Sequence, residues 1–585
     1  MRGKLFLMMS LMTLWTLGLS AQSMTVKGKI TDDAGEPVFG ANVVVKGTNQ
    51  GTVSNDLGDY AISVEKGATL IFSYIGFGNK EVVVGNSTVI DVSLNPDLLE
   101  EIVVTALGIR REKKALGYSV TEVKGEELTQ ARTVNIANSL QGKVAGLNIS
   151  SIASGAGGSS RIVIRGNGSI SGNNQPLIVV DGIPINNDNL GSAGMWGGGD
   201  RGDGISSLNP DEIENISVLK GATAAALYGS RASNGAILVT TKGGKKGSKG
   251  IGVEVNSNYV AEDILFRSNE DYQYEYGAGN LGKKPGTVAE ALTSNSWGAK
   301  LDGSSVIQFD GKSRPYSAVK DNMTNFYDIG STFTNSIAFS GASDKMTYRL
   351  SMNDLNNKSV IPGSSLRRNN ISLNLNSELS SKLSILTNIK YVLERTENRP
   401  RLSDSPGSAT YAINAMPTSL GVDALRESKY TPEGYELTWS DNIYIQNPFI
   451  AANDWKNSDR KGRIIGSFEP RFNLTDWLYL KGRLGFDNFN SRYQSITPYG
   501  TPFSIRGGYN VNNRNFTESN TDLMLGFDKK ITDKIRVNGL VGGNMMKQVY
   551  QDANYGGGNL NIPFFYDISN IDPAARGIGE ALVQK

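Results

Sequence analysis

The sequence contains no cysteine and no histidine, and its 59 basic side chains nearly balance 57 acidic ones. Without cysteine, a disulfide framework, a zinc ribbon and an iron–sulfur cluster are excluded. Without histidine, a Ser-His-Asp triad and a histidine-ligated zinc site are excluded. The net charge of +2 provides no long-range attraction to nucleic acid. Any enzyme would have to rely on carboxylates, lysine, tyrosine or serine alone, and no acid pair typical of a glycosidase stands out in the sequence. We therefore expect neither an enzyme nor a metal or cofactor site, and no nucleic-acid partner.

Long apolar runs are scarce, and the main one lies at the start of the chain. Residues 5–19 are largely apolar, follow the basic Arg2 and Lys4, and lead to small residues up to Ala21. The run is short for a membrane-spanning helix, which needs about 20 residues. This pattern predicts a secretory signal peptide at residues 1–21 and favours it over an N-terminal anchor. Because no later run is comparably apolar, a role within a membrane would require a β-barrel.

Glycine is abundant instead, with 68 among 585 residues, and the length predicts several domains. Residues 24–95 carry about seven short alternating runs separated by turn residues. This spacing predicts a small β-sandwich.

Residues 96–110 form a linker with a short β-branched strip inside it. The strip is flanked by acidic residues on one side and by Arg110 on the other. One interpretation is an ordinary edge strand. The other is a peptide that adds itself as a strand to the sheet of a partner protein.

Residues 111–247 predict a compact α+β unit. Its expected helices lie at residues 134–141 and 222–228, and its expected strands at residues 146–149, 161–165, 177–180, 213–219 and 236–241.

Residues 248–585 alternate between apolar and polar positions in nine predicted strands. This period-2 pattern is what a lipid-facing wall around a polar lumen requires. A soluble β-sandwich would explain the alternation, but not the alternation of short turns with long polar connections. The pattern favours a transmembrane antiparallel β-barrel. Such a barrel needs an even number of strands, so we expect residues 547–585 to be an unfinished extracellular loop and the chain to be a fragment.

Several motifs occur in order along the chain: EEIVVTALGIRREKKALGY (100–118), LQGKVAGLNI (140–149), RIVIRG (161–166), PLIVVDGIPI (176–185) and LNPDEIENISVLKGATAAALYGSRASNGAILVTTK (208–242). Together they resemble the SusC/RagA-type TonB-dependent outer-membrane transporters. The resemblance implies a mainly β protein with a carboxypeptidase-regulatory-like sandwich at residues 24–95 and a plug domain at residues 111–247. It also implies a partial barrel at residues 248–585, with about nine strands of about 22.

The resemblance implies a TonB box in the linker strip, formed by Glu101, Ile102, Val103, Val104, Thr105, Ala106 and Leu107. TonB, with ExbB and ExbD, would pair with this strip in the periplasm and pull on the plug. A SusD-like lipoprotein would cover the extracellular mouth. The implied function is import of an oligosaccharide or a peptide across the outer membrane, with the sandwich in the periplasm. A signalling or adhesive outer-membrane protein remains the alternative.

The plug also contains a polar loop at residues 186–206 that is a candidate for substrate contact. It combines amide, carboxylate, aromatic and cationic side chains, as sugar-binding sites do. The alternative is a solvated plug apex. The candidate residues are Asn186, Asn187, Asp188, Trp196 and Arg201.

Overall fold

A computed structural model describes most of the chain after the predicted signal peptide. The described residues are 23–33, 35–48, 50–74, 77–95, 102–104, 110–112, 120–130, 132–151, 154–170, 172–191, 194, 197–245, 250–265, 272–532 and 535–585. They fall into two compact units, Met1–Val103 with Arg111–Leu116, and Val104–Arg110 with Gly117–Lys585.

The first unit contains a β-sandwich of seven strands. They are β1 (Ser23–Thr31), β2 (Asn42–Val45), β3 (Gly51–Val53), β4 (Asp59–Glu65), β5 (Thr69–Ser73), β6 (Lys80–Val83) and β7 (Val92–Ser93). One sheet has the order β4-β1-β7 and the other the order β3-β2-β5-β6. Alternate residues of β4 point into an apolar core that includes Leu70 and Phe72. The sandwich predicted from the short alternating runs is thus confirmed.

In the linker and the two residues that follow it, β8 (Ile102–Val104) and β9 (Arg110–Glu112) form a two-stranded sheet.

The second unit begins with the predicted plug, which is an α+β fold. Its strands are β10 (Val120–Lys124), β11 (Leu147–Ser151), β12 (Ser160–Ile164), β13 (Leu177–Val180), β14 (Ile183–Ile185), β15 (Ile213–Leu219) and β16 (Ala236–Thr241). Its α-helices are α1 (Gly125–Gln130) and α2 (Ala222–Tyr228), and its 3-10 helices are Ile136–Leu140, Ile205–Ser207, Pro210–Glu212 and Gly229–Ala232. Five strands form a sheet in the order β10-β15-β16-β13-β14, and β11 and β12 form a separate hairpin.

A tight turn between β13 and β14 places a carboxylate at one edge of the plug. Asp181 and Gly182 have φ angles of 48° and 82°. Two successive positive φ angles suit a two-residue hairpin, and Asp-Gly is a favoured pair for it. The turn therefore fixes Asp181 beside the end of β16.

The rest of the second unit is dominated by a ten-stranded antiparallel sheet. Its strands in spatial order are β17 (Ile251–Glu262), β20 (Gly330–Ala342), β21 (Met346–Lys358), β22 (Ser365–Glu378), β23 (Leu383–Glu397), β24 (Asn457–Asn473), β25 (Leu478–Thr497), β26 (Gly508–Lys530), β27 (Arg536–Gly558) and β28 (Arg576–Gln584). Its edge strands β17 and β28 do not pair with each other in the described part of the chain.

The sheet corrects the expected count of nine strands. β28 lies in residues that we expected to be a loop, and it pairs with β27 from Val549 to Gly557. The sequence signal is weak because Glu580 interrupts the apolar alternation of Ile578 and Leu582.

The other strands run beyond the apolar stretches, because pairing with a neighbour continues where both side-chain faces are polar. β26, for example, has 23 residues.

The two faces of the sheet have opposite chemistry. Exposed apolar side chains such as Ile371, Leu523 and Val541 lie on one face. Buried polar side chains, including Ser372 and Asp522, occupy the alternate positions. The predicted split is therefore present in β20–β26, where the polar face is covered and the apolar face is open, whereas β17, β27 and β28 are largely exposed on both faces. A water-soluble sheet would have the reverse arrangement.

Long connections at one end of the sheet carry structure of their own. They contain the hairpin β18 (Ser305–Ile307) and β19 (Ser313–Pro315) and the helices α3 (Val288–Ala291), α4 (Asn322–Phe326), α5 (Ala409–Asn414), α6 (Val422–Glu427) and α7 (Pro448–Asn453). Buried Trp439, Phe326 and Leu425 belong to a core in this region, which sequence patterns had suggested to be simply polar. None of the described helices has the length and apolar character needed to cross a membrane.

Candidate functional site: the plug and the polar face of the sheet

The predicted TonB box is only partly described. Ile102, Val103 and Val104 form β8, and the other four predicted residues lie outside the described residues. An extended backbone at this position is compatible with pairing to a partner strand. The assignment of residues 101–107 stays a prediction.

Two of the predicted substrate residues are tied to the plug and the sheet through backbone and side-chain atoms. The backbone N–H of Asn186 donates to Asp487 Oδ2 on β25 at 2.8 Å. The Asn186 side chain donates to Asp188 Oδ2 at 2.7 Å. Asn187 Oδ1 accepts from the backbone N–H of Ile205 at 2.7 Å. Asp188 is exposed, and Trp196 lies outside the described residues.

Arg201 makes its contacts with the sheet instead of facing solvent. Its guanidinium donates to Asn512 Oδ1 at 2.9 Å and to Ser491 Oγ at 3.0 Å. It also lies 3.6 Å from Asp459 Oδ2 and stacks 4.4 Å from the ring centroid of Tyr493. Burial is the main cause that lowers the pKa of Arg201. Substrate contact by Arg201 stays a prediction, and in this conformation it would require the side chain to leave these partners.

A buried bidentate ion pair between two strands of the sheet makes several hydrogen bonds to the plug. Arg463 of β24 donates from Nε and Nη2 to the two carboxylate oxygens of Asp487 at 2.8 and 2.7 Å. The same guanidinium donates to the plug carbonyls of Gly204 at 3.0 Å and Asn186 at 2.8 Å. Gly204 suits this position because a Cβ there would come 2.0 Å from the Asn186 carbonyl oxygen. The ion pair thus holds two segments of the plug loop at once.

Further charged contacts connect other parts of the plug to the sheet. Lys390 of β23 donates to Asp181 Oδ2 at 2.9 Å, on the turn after β13. Arg231 of the plug forms a bidentate pair with Glu518 of β26 at 2.8 and 3.0 Å. Arg514 of β26 donates to the plug carbonyl of Leu190 at 2.8 Å. A rim of separated polar contacts therefore lies between the plug and the sheet.

The LNPDE segment of the plug supplies two buried carboxylates to this rim. Asp211 pairs with Arg132 at 2.6 Å and accepts from Ser336 Oγ of β20 at 3.1 Å. Glu212 accepts from Ser351 at 3.0 Å and from Ser372 at 2.5 Å. The carboxylates therefore connect the plug to three neighbouring strands.

Sequence reasoning missed the partners that the sheet supplies. Arg463, Asp487 and Glu518 occupy polar positions of alternating strands, where a charge can face only a lumen or another polar surface. That signal was present in the sequence. The pairing of each charge with a plug segment requires the tertiary fold. Among the described residues, no group of three or more acidic side chains is arranged to hold a metal ion.

Two family models match the chain. The TonB-dependent Receptor Plug Domain matches residues 112–236, and the CarboxypepD_reg-like domain matches residues 26–104. The second match extends through β8 of the linker.

Curated relatives match over more of the chain. The TonB-dependent receptor SusC of Bacteroides thetaiotaomicron is 31% identical over 445 residues, which cover 74% of this chain and 39% of that protein. The TonB-dependent receptor P26 of Formosa agariphila is 27% identical over 583 residues, covering 95% of this chain and 52% of that protein. The chain belongs to the SusC/RagA-type TonB-dependent receptors. It spans about half the length of the curated relatives it matches.

Solved structures support the fold of this receptor chain. The RagAB peptide importer in its open-open state matches with a TM-score of 0.63 and 19% identity, over 83% of this chain and 53% of that one. In the closed-closed state the TM-score is 0.61, also at 19% identity, over 80% of this chain and 52% of that one.

Proposed function

We propose that this receptor chain takes part in TonB-dependent import of an oligosaccharide across the outer membrane. The observation that carries the proposal is the chemistry of the surface between plug and sheet. Hydrogen bonds and ion pairs are numerous on this surface, exemplified by Arg231 with Glu518 and Lys390 with Asp181, and they lie beside a small apolar cluster around Leu190.

A polar interface can be opened in a way that an apolar core cannot. When the plug moves, water can replace each lost hydrogen bond on both surfaces. An apolar interface would instead expose surface at about 25 cal/mol for each Å². The uncovered face of the sheet would then line a hydrophilic passage, while its outer apolar face suits lipid.

The energy for this movement would enter through residues 101–107. Their backbone would pair with a strand of TonB, which works with ExbB and ExbD, and force on the strand would pass to the plug. Pairing through main-chain hydrogen bonds needs an extended segment more than particular side chains. In this mechanism the N-terminal sandwich would lie in the periplasm, and a SusD-like lipoprotein would cover the opposite mouth.

Oligosaccharide is the cargo we favour, and peptide is the alternative within the same mechanism. An outer-membrane signalling or adhesion protein without transport is the alternative from another class. The two classes differ in what the linker strip does: a transporter needs it for uptake, whereas an adhesin does not need it for binding.

The test separates uptake from binding in cells that carry the full receptor. Deletion of residues 101–107 should abolish uptake of a fluorescent oligosaccharide and leave its binding at the cell surface intact. As a matched pair, Val103→Pro removes a main-chain N–H and should block uptake, whereas Val103→Ala keeps it and should preserve uptake. Undiminished uptake after the deletion would refute the mechanism.

A further inference from the structure

A cavity of about 370 Å³ lies among the long connections of the sheet and is lined by no plug residue. Its walls come from the connections between β23 and β24, between β25 and β26, and between β27 and β28. The backbone N–H of Glu436 donates to the Gly500 carbonyl at 2.9 Å and joins two of these connections. The cavity is therefore separate from the plug loop considered above.

Aromatic rings dominate one side of this cavity. Tyr499 and Phe564 line the cavity with ring centroids 5.5 Å apart. Tyr435 does not line the cavity, but its ring packs against both, with centroids 6.0 and 6.4 Å away. Phe564 remains 46% exposed and has a φ angle of 60°, which a bulky residue rarely adopts. Strained backbone of this kind persists where the surrounding structure holds it, and it concentrates at ligand sites.

A buried carboxyl group with an unused oxygen lies on the other side. Glu436 Oε1 accepts from the backbone N–H of Asn447 at 2.5 Å, and Oε2 has no hydrogen-bond partner. Burial is the main cause that raises the pKa of Glu436 to about 8, and the nearby Asp454 carboxylate contributes to this rise. Near neutral pH the group is therefore largely a neutral carboxylic acid, which can both donate and accept a hydrogen bond.

The rim of the cavity adds further polar groups. Asp454 accepts a hydrogen bond from the Tyr430 hydroxyl, and Lys456 also lines the cavity. A ligand suited to this arrangement has a flat apolar face for the rings and hydroxyl groups for the carboxyl and the rim. An amine would instead need Glu436 to be ionised.

We propose that this cavity binds one neutral pyranose unit of an oligosaccharide, as a capture site separate from the plug. The pyranose C–H face lies against the Tyr499 and Phe564 rings, and a ring hydroxyl meets the free oxygen of Glu436. The proposal rests on the proposed function and locates one contact for the same cargo.

The first experiment measures oligosaccharide affinity with the full receptor in detergent. Titration calorimetry with maltohexaose, cellohexaose and mannohexaose identifies the sugar that binds. Phe564→Ala should then weaken that affinity by at least about tenfold, the scale of one lost stacking contact. Phe565→Ala is the matched control, because Phe565 is the next residue, is 50% exposed and does not line the cavity. Its affinity should stay near that of the unmodified receptor.

The second experiment tests the role of Glu436. Glu436→Gln keeps a neutral donor and acceptor and should retain most of the affinity, whereas Glu436→Ala should lose about tenfold. Loss of sugar affinity in Glu436→Gln to the level of Glu436→Ala, or binding of hexalysine that Glu436→Gln abolishes, would overturn the proposal in favour of a cation site.

The outcomes also separate this site from the broader function. If the receptor binds and imports a sugar but Phe564→Ala behaves like Phe565→Ala, the cavity is not the site, while the proposed function stands. If the receptor binds none of the three sugars, the proposed site is overturned. Uptake that persists without residues 101–107 would contradict only the TonB-driven mechanism.

Discussion

The N-terminal sandwich and the interface between plug and sheet are stabilised in opposite ways. The sandwich has an apolar core, and Ser54 is the one buried polar side chain among its described residues. The plug contacts the sheet through many buried charges, including Arg463, Asp487 and Glu518, beside a small apolar cluster around Leu190. The apolar core is suited to a domain that stays folded, whereas the charged interface is suited to surfaces that separate and are rehydrated.

The sandwich core and the plug–sheet interface also differ in how strictly they define the geometry of their contacts. Apolar packing gives most of the free energy of folding but little directional preference. A bidentate ion pair requires one geometry, and removing one partner is costly because the other charge stays buried. In the proposed mechanism, these contacts would return the plug to a defined position after it moves.

The largest effect is expected from breaking the central ion pair. Arg463→Met should lower the free energy of unfolding of the full receptor by about 3–5 kcal/mol, because Asp487 would remain buried without its cation. The double variant Arg463→Met with Asp487→Leu should recover most of this loss. Denaturant unfolding in detergent measures both. A single variant as stable as the unmodified receptor would show that the buried pair does not stabilise the receptor.

A substitution that opens a large cavity in the core of the sandwich should destabilise the sandwich alone. Leu70 is fully buried in the apolar core, and Leu70→Ala should destabilise the sandwich by about 3 kcal/mol. Its melting transition, followed by calorimetry, should fall while the affinity for cargo stays constant. A change in cargo affinity would mean that the two regions are coupled, contrary to the comparison.

Tyr60 gives a smaller effect with a defined pH dependence. Its hydroxyl donates to the Ile90 carbonyl at 2.8 Å, and Tyr60→Phe should cost about 1 kcal/mol at neutral pH. Burial is the main cause that raises the pKa of Tyr60 to about 12, with Asp91 adding to it. The unfolded chain loses this proton at lower pH, so the stabilisation is complete below about pH 10 and is lost as pH rises toward 12.

Melting curves recorded at alkaline pH test whether the stabilisation by Tyr60 is lost as the pH rises. In the unmodified receptor the transition should fall between pH 10 and 12 more steeply than in Tyr60→Phe. The same pH dependence of the melting temperature in both proteins would contradict the role given to the Tyr60 hydroxyl. The transition that Leu70→Ala shifts identifies which melting step belongs to the sandwich.

The smallest effect is expected at an exposed ion pair. Lys46 and Glu81 lie 2.7 Å apart on the surface of the sandwich, with about half of each side chain exposed to solvent. Lys46→Ala should change the free energy of unfolding by less than about 1 kcal/mol, because solvent screens the pair. A loss as large as that of Arg463→Met would mean that burial does not explain the difference between the two pairs.

Much of the fold follows from local sequence patterns. The plug strands Leu177–Val180, Ile213–Leu219 and Ala236–Thr241 begin and end where their apolar runs do. The alternation of apolar and polar residues after position 248 also predicted the two faces of the sheet correctly. Its strand ends were harder to predict, since β26 and β27 continue through polar residues where only pairing with a neighbour defines the strand.

The candidate site was less predictable, because its contacts join residues far apart in the chain. Arg201 was identified as a polar residue of a glycine-rich loop, but its partners Ser491 and Asn512 are about three hundred positions away. Residue type alone does not distinguish a cation that meets a ligand from one that meets a sheet. The cavity at Glu436 was missed for the same reason.

The central claim is that force on residues 101–107 separates the plug from the polar face of the sheet. Ser372 lies on that face against Glu212, and the sequence contains no cysteine, so Ser372→Cys introduces a single thiol into this chain. Exposed Ser317→Cys serves as the control that is always labelled. In energised cells supplied with cargo, a hydrophilic maleimide should label position 372, and deletion of residues 101–107 should prevent this. Equal labelling at position 372 with and without the deletion would contradict the account.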